Sequence, residues 1–252
     1  MRKSYSFKLY QSKHNQKLHN QINLAAQIYN HCIALHKRYY RQHGKYISLY
    51  TLNRHLTKLK KLQKHAHWNQ LNSQAIQNIA GRIDNGYQLF FRSLKAKSQR
   101  RVAPPSFRKK VKYKSITFTQ TGYKLLAGNK IRLGKRTFKY FKSQEIEGQV
   151  KTLTLKRDAL GDIYLCFSCE LPDIQPSRTM TGKIAGFDFG LKTFLVASDG
   201  QHSEMPLFYR QGQRKLAQAQ RQVASKKRGS ANRKKAVKNL ARVHKRIANQ
   251  RK

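Results

Sequence analysis

Acidic residues are scarce in this sequence. Its 252 residues include 10 Asp and Glu against 54 Lys and Arg, which gives a formal net charge of +44 at pH 7. A chain with this charge repels itself unless a polyanion neutralises it. Because Lys and Arg release counterions when they contact phosphates, nucleic acid is the expected partner, with an anionic membrane surface as the alternative.

Long hydrophobic runs are also missing. No segment approaches the ~18 consecutive apolar residues that a membrane span requires. The opening segment, MRKSYSFKLYQSKHN, has no apolar core of a signal peptide. We therefore expect no membrane partner and a cytoplasmic location. Hydrophobic residues still make up 38% of the chain, so one large domain or two to three small ones can bury a core.

Cysteine is scarce, and its three positions are Cys32, Cys166 and Cys169. An odd, low count argues against a disulfide framework. The CFSC stretch has the C-x-x-C spacing of a zinc or redox site, but GDIYLCFSCELP is typical of a strand, in which positions three apart point to opposite faces. No second Cys or His pair follows at finger spacing, so we expect structural cysteines and no zinc.

The apolar pattern predicts a strand, then helices, then many strands. SYSFKLY alternates Tyr5, Phe7 and Leu9 on one face, and helical periodicity follows, most clearly in SQAIQNIAGRIDNGYQLFFRSLKA. The paired prolines of RRVAPPSFRKK end the helices, and short alternating runs separated by glycines predict a small barrel or sandwich. We expect the first strand to complete that sheet from across the helical insertion.

A second region begins after the linker PDIQPSRTMTG. KIAGFDFG and TFLVASDG predict two strands of a buried hairpin, and two basic helices broken at Gly229-Ser230 follow. Asp188 stands inside the first strand. A strand gives a rigid frame for a carboxylate that binds Mg²⁺, as in RNase H-like nucleases. A hydrogen-bonded structural role for Asp188 is the alternative.

Three stretches together resemble the TnpB (OrfB-type) proteins of bacterial insertion sequences: GFDFGLKTFLVASDG, RRVAPPSFRKK and SKKRGSANRKKAVKNLARVHKRIANQRK. TnpB proteins are RNA-guided DNA endonucleases related to compact type V CRISPR effectors, and they are also described as transposases. The resemblance implies an α+β, multidomain fold. It divides the chain into a wedge-type β-barrel (residues 1–11 and 104–176), an inserted helical recognition lobe (12–103) and the N-terminal part of an RNase H-like (RuvC) domain (177–252).

The family's D-x-G-x-K-x-F motif falls on four residues: Asp188, Gly190, Lys192 and Phe194. The resemblance implies that Asp188 is catalytic and is the first of three carboxylates that bind two Mg²⁺ ions. Only Asp199 and Glu204 follow it among acidic residues, and neither fits the second motif. We therefore expect a chain truncated within the nuclease domain, with an incomplete site, which leaves enzymatic activity open.

The resemblance also implies two sets of nucleic-acid contacts. Readers of a short motif beside the target are expected at Gln74, Gln77, Thr119 and Gln120, because Gln pairs bidentately with adenine and Thr contacts the thymine methyl. Phosphate contacts are expected at Lys226, Lys227, Arg228, Arg233, Lys234 and Lys235. Solvated polar or charged surface is the alternative for both sets. Trp68 and Phe107 are expected to be core residues rather than platforms for base stacking.

Three classes of function remain at this point. The first is an RNA-guided nuclease whose partners are a guide RNA from the transposon end and double-stranded target DNA. The second is a non-cleaving nucleic-acid-binding protein. The third is an unrelated basic structural protein, such as a ribosome-associated factor. The order of the motifs argues against the third class.

Overall fold

The computed structural model describes all residues except 97–100, 173–181, 183, 191–192, 205–206 and 251–252. Most of the predicted linker, with the domain boundary at 176–177, and Lys192 of the predicted motif therefore lie outside the described residues. The chain forms two compact units, Met1–Asp173 and Ile174–Lys252. Both contain helices and strands, so the predicted α+β class is confirmed.

The helices are α1 (Asn15–His43), α2 (Leu49–Leu59), α3 (Ser73–Lys95), α4 (Phe208–Ala224) and α5 (Ala231–Gln250), with 3-10 segments at Gln63–Gln70 and Lys110–Lys112. The strands of the first unit are β1 (Arg2–Lys8), β2 (Ser115–Phe118), β3 (Tyr123–Leu126), β4 (Lys130–Leu133), β5 (Arg136–Lys139), β6 (Gln149–Arg157) and β7 (Ile163–Glu170). Those of the second are β8 (Phe187–Asp188), β9 (Thr193–Ala197) and β10 (His202–Glu204).

The main sheet of the first unit has the strand order β1-β7-β6-β2, and all its neighbouring strands are antiparallel. The expected pairing of the first strand with the region after residue 104 is confirmed, with Tyr5 opposite Phe167 and Phe7 opposite Leu165. Phe7 is 1% exposed, and its ring centroid lies 5.4 Å from that of Tyr140 and 6.0 Å from that of Phe167. The alternating residues of β1 therefore anchor the core of this unit.

A second sheet, β3-β4-β5, meets the first at one corner. An isolated bridge pairs Leu9 with Tyr140, the Tyr10 amide donates to the Lys139 carbonyl at 3.0 Å, and the Phe141 amide donates to the Lys8 carbonyl at 2.8 Å. The described strands of the first unit thus form two sheets joined at an edge, without a closed ring of strand pairing. The wedge-type barrel stays a prediction.

The helix α3 packs on the main sheet, beside β2, through an apolar stripe. Ile76, Ile79 and Ile83 are buried, as the periodicity predicted, and Ala75 and Ala80 are buried beside them. Arg82, on the same helix, donates to the Ser115 carbonyl and to the Thr117 hydroxyl of β2. Burial plus these hydrogen bonds holds α3 along the sheet, so its first turn has a defined position.

The cysteines lie as expected. In β7, Cys169 is buried and Cys166 is half-buried, on opposite faces of one strand. Cys32 is buried in α1, and burial raises the pKa of its thiol from 9.0 to about 12. The described residues contain no disulfide among these three thiols.

The second unit contains a small sheet with the order β10-β9-β8. Several of its apolar side chains are exposed, including Phe187 (60%) and Val196 (40%), and so is Phe189 (71%) just after β8, while Leu195 is half-buried. The prediction of a buried hairpin is therefore wrong for the described residues. Alternation predicts a strand, but burial requires a second layer, and these short strands pair only with one another among the described elements.

Two basic helices complete the second unit. They pack as a hairpin through Leu216, Ala219 and Ile247, and a Cβ on Gly212 would lie 2.6 Å from the Ile247 side chain, so a larger residue there would force that side chain to move. The predicted break at Gly229-Ser230 is confirmed, with φ +85° at Gly229. Among the described residues, no helix has the length and apolar content to cross a membrane.

Candidate nucleic-acid interface

Three of the four predicted readers meet where α3 begins beside the loop after β2. Oε1 of Gln74 accepts hydrogen bonds from the Thr119 hydroxyl (3.1 Å), the Gln120 amide (2.8 Å) and the Thr121 amide (2.8 Å). Its Nε2 donates to Oε1 of Gln120 at 3.4 Å. Residues far apart in the sequence thus form one polar surface.

The local sequence explains why the loop closes on the helix. The Asn72 side chain caps α3 by accepting from the Gln74 amide at 2.9 Å. Gly122 has φ +100°, and a Cβ there would lie 2.8 Å from the Phe118 ring and 3.1 Å from Nδ2 of Asn72. Only glycine fits this turn, so the loop can lie directly against the start of α3.

Gln77 lies one turn further along α3 and is exposed. Side chains three residues apart share a helix face, so Gln77 extends the surface that Gln74 begins. The two glutamines differ in what they offer a partner: Oε1 of Gln74 already has three donors, whereas Gln77 presents its amide to solvent. Gln74 is thus built to position the loop, and base reading by these residues stays a prediction.

The second candidate surface is the turn between α4 and α5, which we call the basic turn. Five of its predicted phosphate contacts are exposed: Lys226, Lys227, Arg228, Lys234 and Lys235. The Ser230 hydroxyl accepts from the Arg233 amide at 3.1 Å and so starts α5 immediately after the turn. The short connection concentrates these cations at one end of the helical hairpin.

Arg233 differs from the other five cations. Its Nη1 donates to the carbonyls of Val223 (2.9 Å) and Lys226 (3.0 Å), at the end of α4. These carbonyls have no further partner within the helix, and the helix dipole makes a cation favourable there. Arg233 therefore fixes the geometry of the basic turn, and its contact with phosphate stays a prediction.

The few carboxylates of the first unit are largely neutralised inside that unit. Four ion pairs join Lys3 to Glu147 (2.7 Å), Lys8 to Asp162 (2.8 Å), Lys142 to Glu145 (2.5 Å) and Lys151 to Glu170 (2.7 Å). Hydrogen bonds from Lys3 and Lys151 lower the pKa values of Glu147 and Glu170. Most of the remaining Lys and Arg have no carboxylate to offset them, because the sequence has 54 cations and 10 acids.

Asp188 lies on β8, the edge strand of the small sheet, and is exposed. It stands opposite Val196 of β9, and Val196 stands opposite His202 of β10. An exposed position at a sheet edge leaves the carboxylate accessible to solvent or to a cation. Its catalytic role stays a prediction.

The other acidic residues of this region do not converge on Asp188. Glu204 stands opposite Thr193, and Asp199 lies in the β9–β10 turn, where its Oδ1 accepts from the Gln201 amide at 3.0 Å. Within the described ranges, no group of three or more His, Cys, Asp or Glu is placed to hold a metal ion. One carboxylate does not fit a two-Mg²⁺ site, which takes ligands from several side chains.

Phe107 corrects another expectation. It was predicted to be a core residue, but it is 54% exposed, with Nζ of Lys37 lying 4.8 Å from its ring centroid. The segment after the prolines runs across α1, where its backbone rather than its apolar side chain is anchored. Trp68, by contrast, is 3% exposed and is a core residue as predicted.

Comparison with known proteins gives a family match for part of the chain. A search of curated proteins gave no match. Among solved structures, the chain resembles the cryo-EM structure of the Cas12f1-sgRNA-target DNA complex at 13% identity and a TM-score of 0.44, over 100% of this chain and 66% of that one. Residues 166–252 match the OrfB_IS605 family, described as "Probable transposase". This part of the chain is thus similar to the OrfB-type proteins.

The family match covers only part of the chain. It begins in β7 and includes Asp188 and the whole basic turn, but not the start of α3 or the loop after β2. The chain also spans less than two thirds of the Cas12f1 chain, at 66% of its length. The family match therefore gives no support to a role for the polar surface around Gln74, and that role is argued from its hydrogen bonds alone.

Sequence reasoning missed several residues that shape the surface of the first unit. Asn72, Thr121 and Gly122 hold the loop against α3, and their local signals were an Asn at a helix start and a Thr-Gly turn. An exposed aromatic pair was missed as well: the rings of Tyr10 and Phe141 stack at 3.8 Å at the corner between the two sheets. Each of the two follows the end of a strand pattern, where periodicity gives no information.

Proposed function

We propose that this chain is a transposon-associated, RNA-guided DNA-binding protein of the TnpB endonuclease family. Its partners are a guide RNA from the transposon end and double-stranded target DNA. The observation that carries the proposal is the family match over residues 166–252, which includes the exposed cations of the basic turn. The wedge-type barrel and the RuvC-like domain belong to this proposal.

The two surfaces divide the work of recognition. The basic turn offers five exposed cations and few hydrogen-bonding groups of fixed geometry, which suits sequence-independent phosphate contact. The surface around Gln74 and Gln77 offers amides and a hydroxyl on a helix start and a rigid loop, which suits contact with base edges. Affinity therefore comes mainly from the first surface and discrimination from the second.

The proposal also includes metal-dependent cleavage of DNA at Asp188. Asp188 is the residue that would bind Mg²⁺, and a bound Mg²⁺ would supply activation of water and stabilisation of the leaving oxygen. The described residues contribute one carboxylate at that place, so cleavage at this site requires further ligands. Without them, the alternative is a non-cleaving nucleic-acid-binding protein.

Salt-dependent binding tests the proposal. The purified chain is titrated with structured RNA and with duplex DNA at several salt concentrations. Replacing Lys226, Lys227 and Arg228 with Ala should reduce the slope of log affinity against log salt by up to about 3, because each lost phosphate contact removes ~0.9. Replacing Asp188 with Ala should leave binding of both nucleic acids unchanged.

A matched triple variant controls for net charge. Lys58, Lys61 and Lys64 are also exposed, but they lie around the end of α2. Their replacement with Ala removes the same charge and should reduce the slope less. Equal reductions would show that overall charge, and not the basic turn, accounts for phosphate binding. Absence of binding to both nucleic acids would reject the proposed function.

A further inference from the structure

A cavity of about 380 Å³ opens between α1, the turn after it, and α3. Its walls are mainly aromatic, and the rings come from three separate segments of the first unit: His36, Tyr40, Tyr46, Tyr87, Phe90 and Phe91. Pro104 and Pro105 close one side. A cavity of this size lies within the usual range for small organic ligands or parts of larger ones.

The walls are fixed by specific contacts. Gly44, at φ +63°, ends α1 and allows the chain to turn back toward α3. The Tyr46 hydroxyl then donates to the Asp84 carboxylate, and its ring lies perpendicular to that of Phe91 at 5.6 Å. Pro105 lies so close to α3 that a Cβ on Gly86 would be 2.8 Å from it. The cavity is thus present before any ligand binds.

One polar group in this wall has no protein partner. His36 is 4% exposed, its ring lies 5.1 Å from Tyr46 and 4.9 Å from Tyr87, and its Nε2 makes no hydrogen bond to any described residue. Burial lowers the pKa of His36, which favours the neutral imidazole. That nitrogen has almost no accessible surface, so a ligand in the cavity does not reach it, and His36 contributes its ring to the wall.

Cations stand beside the aromatic walls. Lys37 and Lys45 line the cavity, and Lys37 also lies over Phe107. Phe107 lines a neighbouring depression together with Arg108, Lys109 and Lys112. Three cations are therefore held next to the cavity, in addition to the two lysines that line it.

This basic segment has a fixed position. The Asn30 side chain donates to the Arg108 carbonyl and accepts from the Arg108 amide, both at 2.9 Å. The Tyr29 hydroxyl donates to the Ser106 carbonyl at 3.2 Å. Because α1 also carries His36 and Lys37, the cations and the cavity are attached to one helix and keep their spacing.

We propose that this cavity binds an unpaired base of a single-stranded nucleic acid, whose phosphates contact Lys37, Lys45 and the neighbouring basic segment. A base has a flat face that stacks on aromatic rings, and the chain that carries it has the phosphates that lysines attract. A wholly apolar ligand would leave the lysines without an anionic partner, and the same lysines disfavour a cationic ligand. The proposal rests on the proposed function and adds a site outside residues 166–252.

Binding by base-containing and base-free probes tests this site. The full chain is titrated with a single-stranded DNA and an RNA of the same sequence, each containing 2-aminopurine, and with an abasic oligomer of the same length. Tyr40→Ala removes an exposed aromatic wall, and Phe90→Ala removes a second ring of the lining. Tyr50→Ala is the control, because Tyr50 is 70% exposed, as Tyr40 is 66% exposed, but does not line the cavity.

Both cavity variants should weaken binding of a base-containing probe by about tenfold, the usual effect of losing one stacked base. They should leave binding of the abasic oligomer unchanged. Quenching of 2-aminopurine by the wild type should be lost in the variants and kept in Tyr50→Ala. The sugar type that shows the larger effect identifies whether RNA or DNA supplies the base.

Urea unfolding separates loss of a wall from loss of the fold. Tyr40→Ala should unfold at nearly the same urea concentration as the wild type, since Tyr40 is 66% exposed. If the ratio of base-containing to abasic affinity is the same in the wild type and both variants, the cavity does not bind a base, although the proposed function stands. If the wild type binds no probe at all, both proposals are rejected.

Discussion

Two substitutions at Gln74 separate its role in holding the loop after β2 from its predicted contact with bases. Gln74→Ala removes the acceptor shared by Thr119, Gln120 and Thr121, whereas Gln74→Glu keeps an oxygen in the same place. Glu loses the donor that Nε2 gives to Gln120, and that bond is long, at 3.4 Å. We therefore expect Ala to loosen the loop and Glu to hold it.

The expected magnitude follows from these hydrogen bonds. Each contributes a net ~0.5–1.5 kcal/mol, but Gln120 and Thr121 are exposed, so water can replace part of what their amides lose. Gln74→Ala should lower the free energy of unfolding by about 1–2 kcal/mol, and Gln74→Glu by less than about 1 kcal/mol. A carboxylate at the start of α3 also interacts favourably with the helix dipole.

Urea unfolding followed by tryptophan fluorescence measures these differences. Trp68 is the sole tryptophan of the chain and is buried in the first unit, so it reports on the unit that contains Gln74. Gln77→Ala is the matched control, with an expected change within about 0.5 kcal/mol. The reasoning is refuted if Gln74→Ala unfolds at the same urea concentration as Gln77→Ala, or if Glu destabilises as much as Ala at an unchanged m-value.

Three further predictions concern other parts of the chain. Phe7→Ala should cost about 3–5 kcal/mol in calorimetry because the ring is fully buried; a loss below about 1 kcal/mol would contradict its place in the core. Arg233→Ala should lower the helix signal in circular dichroism, whereas Lys234→Ala should weaken only nucleic-acid binding; equal effects would show that Arg233 does not cap α4. Burial raises the pKa of the Cys32 thiol from 9.0 to about 12, so its contribution to the free energy of unfolding should be complete below pH 9 and be lost as pH rises toward 12. Cys32→Ala should therefore lose less stability than the wild type between pH 9 and pH 12. An equal loss in the two proteins would exclude the thiol as its source.

Local patterns predicted most of the secondary structure. The alternation of SYSFKLY predicted β1 with its buried face, and the periodicity of residues 73–96 matches α3 at Ser73–Lys95. Gly229-Ser230 marked the break between α4 and α5. In each case, the residues that determine the structure are neighbours in the sequence, so period and turn chemistry are sufficient.

Burial and long-range contacts were the parts that the sequence could not determine. The hairpin around Asp188 has a strand pattern, but whether a strand is covered depends on other elements, and Phe187 and Phe189 are exposed. The three donors to Gln74 come from a loop more than 40 residues away, as in Gln120 at a separation of 46. The rings at Tyr87 and Phe91 match a core stripe, and only the turn at Gly44 makes them walls of a cavity.

The scarcity of acid limits how this chain can discriminate among nucleic acids. Four ion pairs among the described residues join carboxylates to cations within the first unit, while Asp84 accepts from Tyr46. The cations left over would attract any sequence equally, because phosphates carry no sequence information. Under the proposed function, selectivity comes from uncharged groups held in fixed positions, and the groups around Gln74 are its proposed source. Asp188, exposed at a sheet edge and outside these four pairs, is the kind of carboxylate that remains available to a cation brought in with the polyanion.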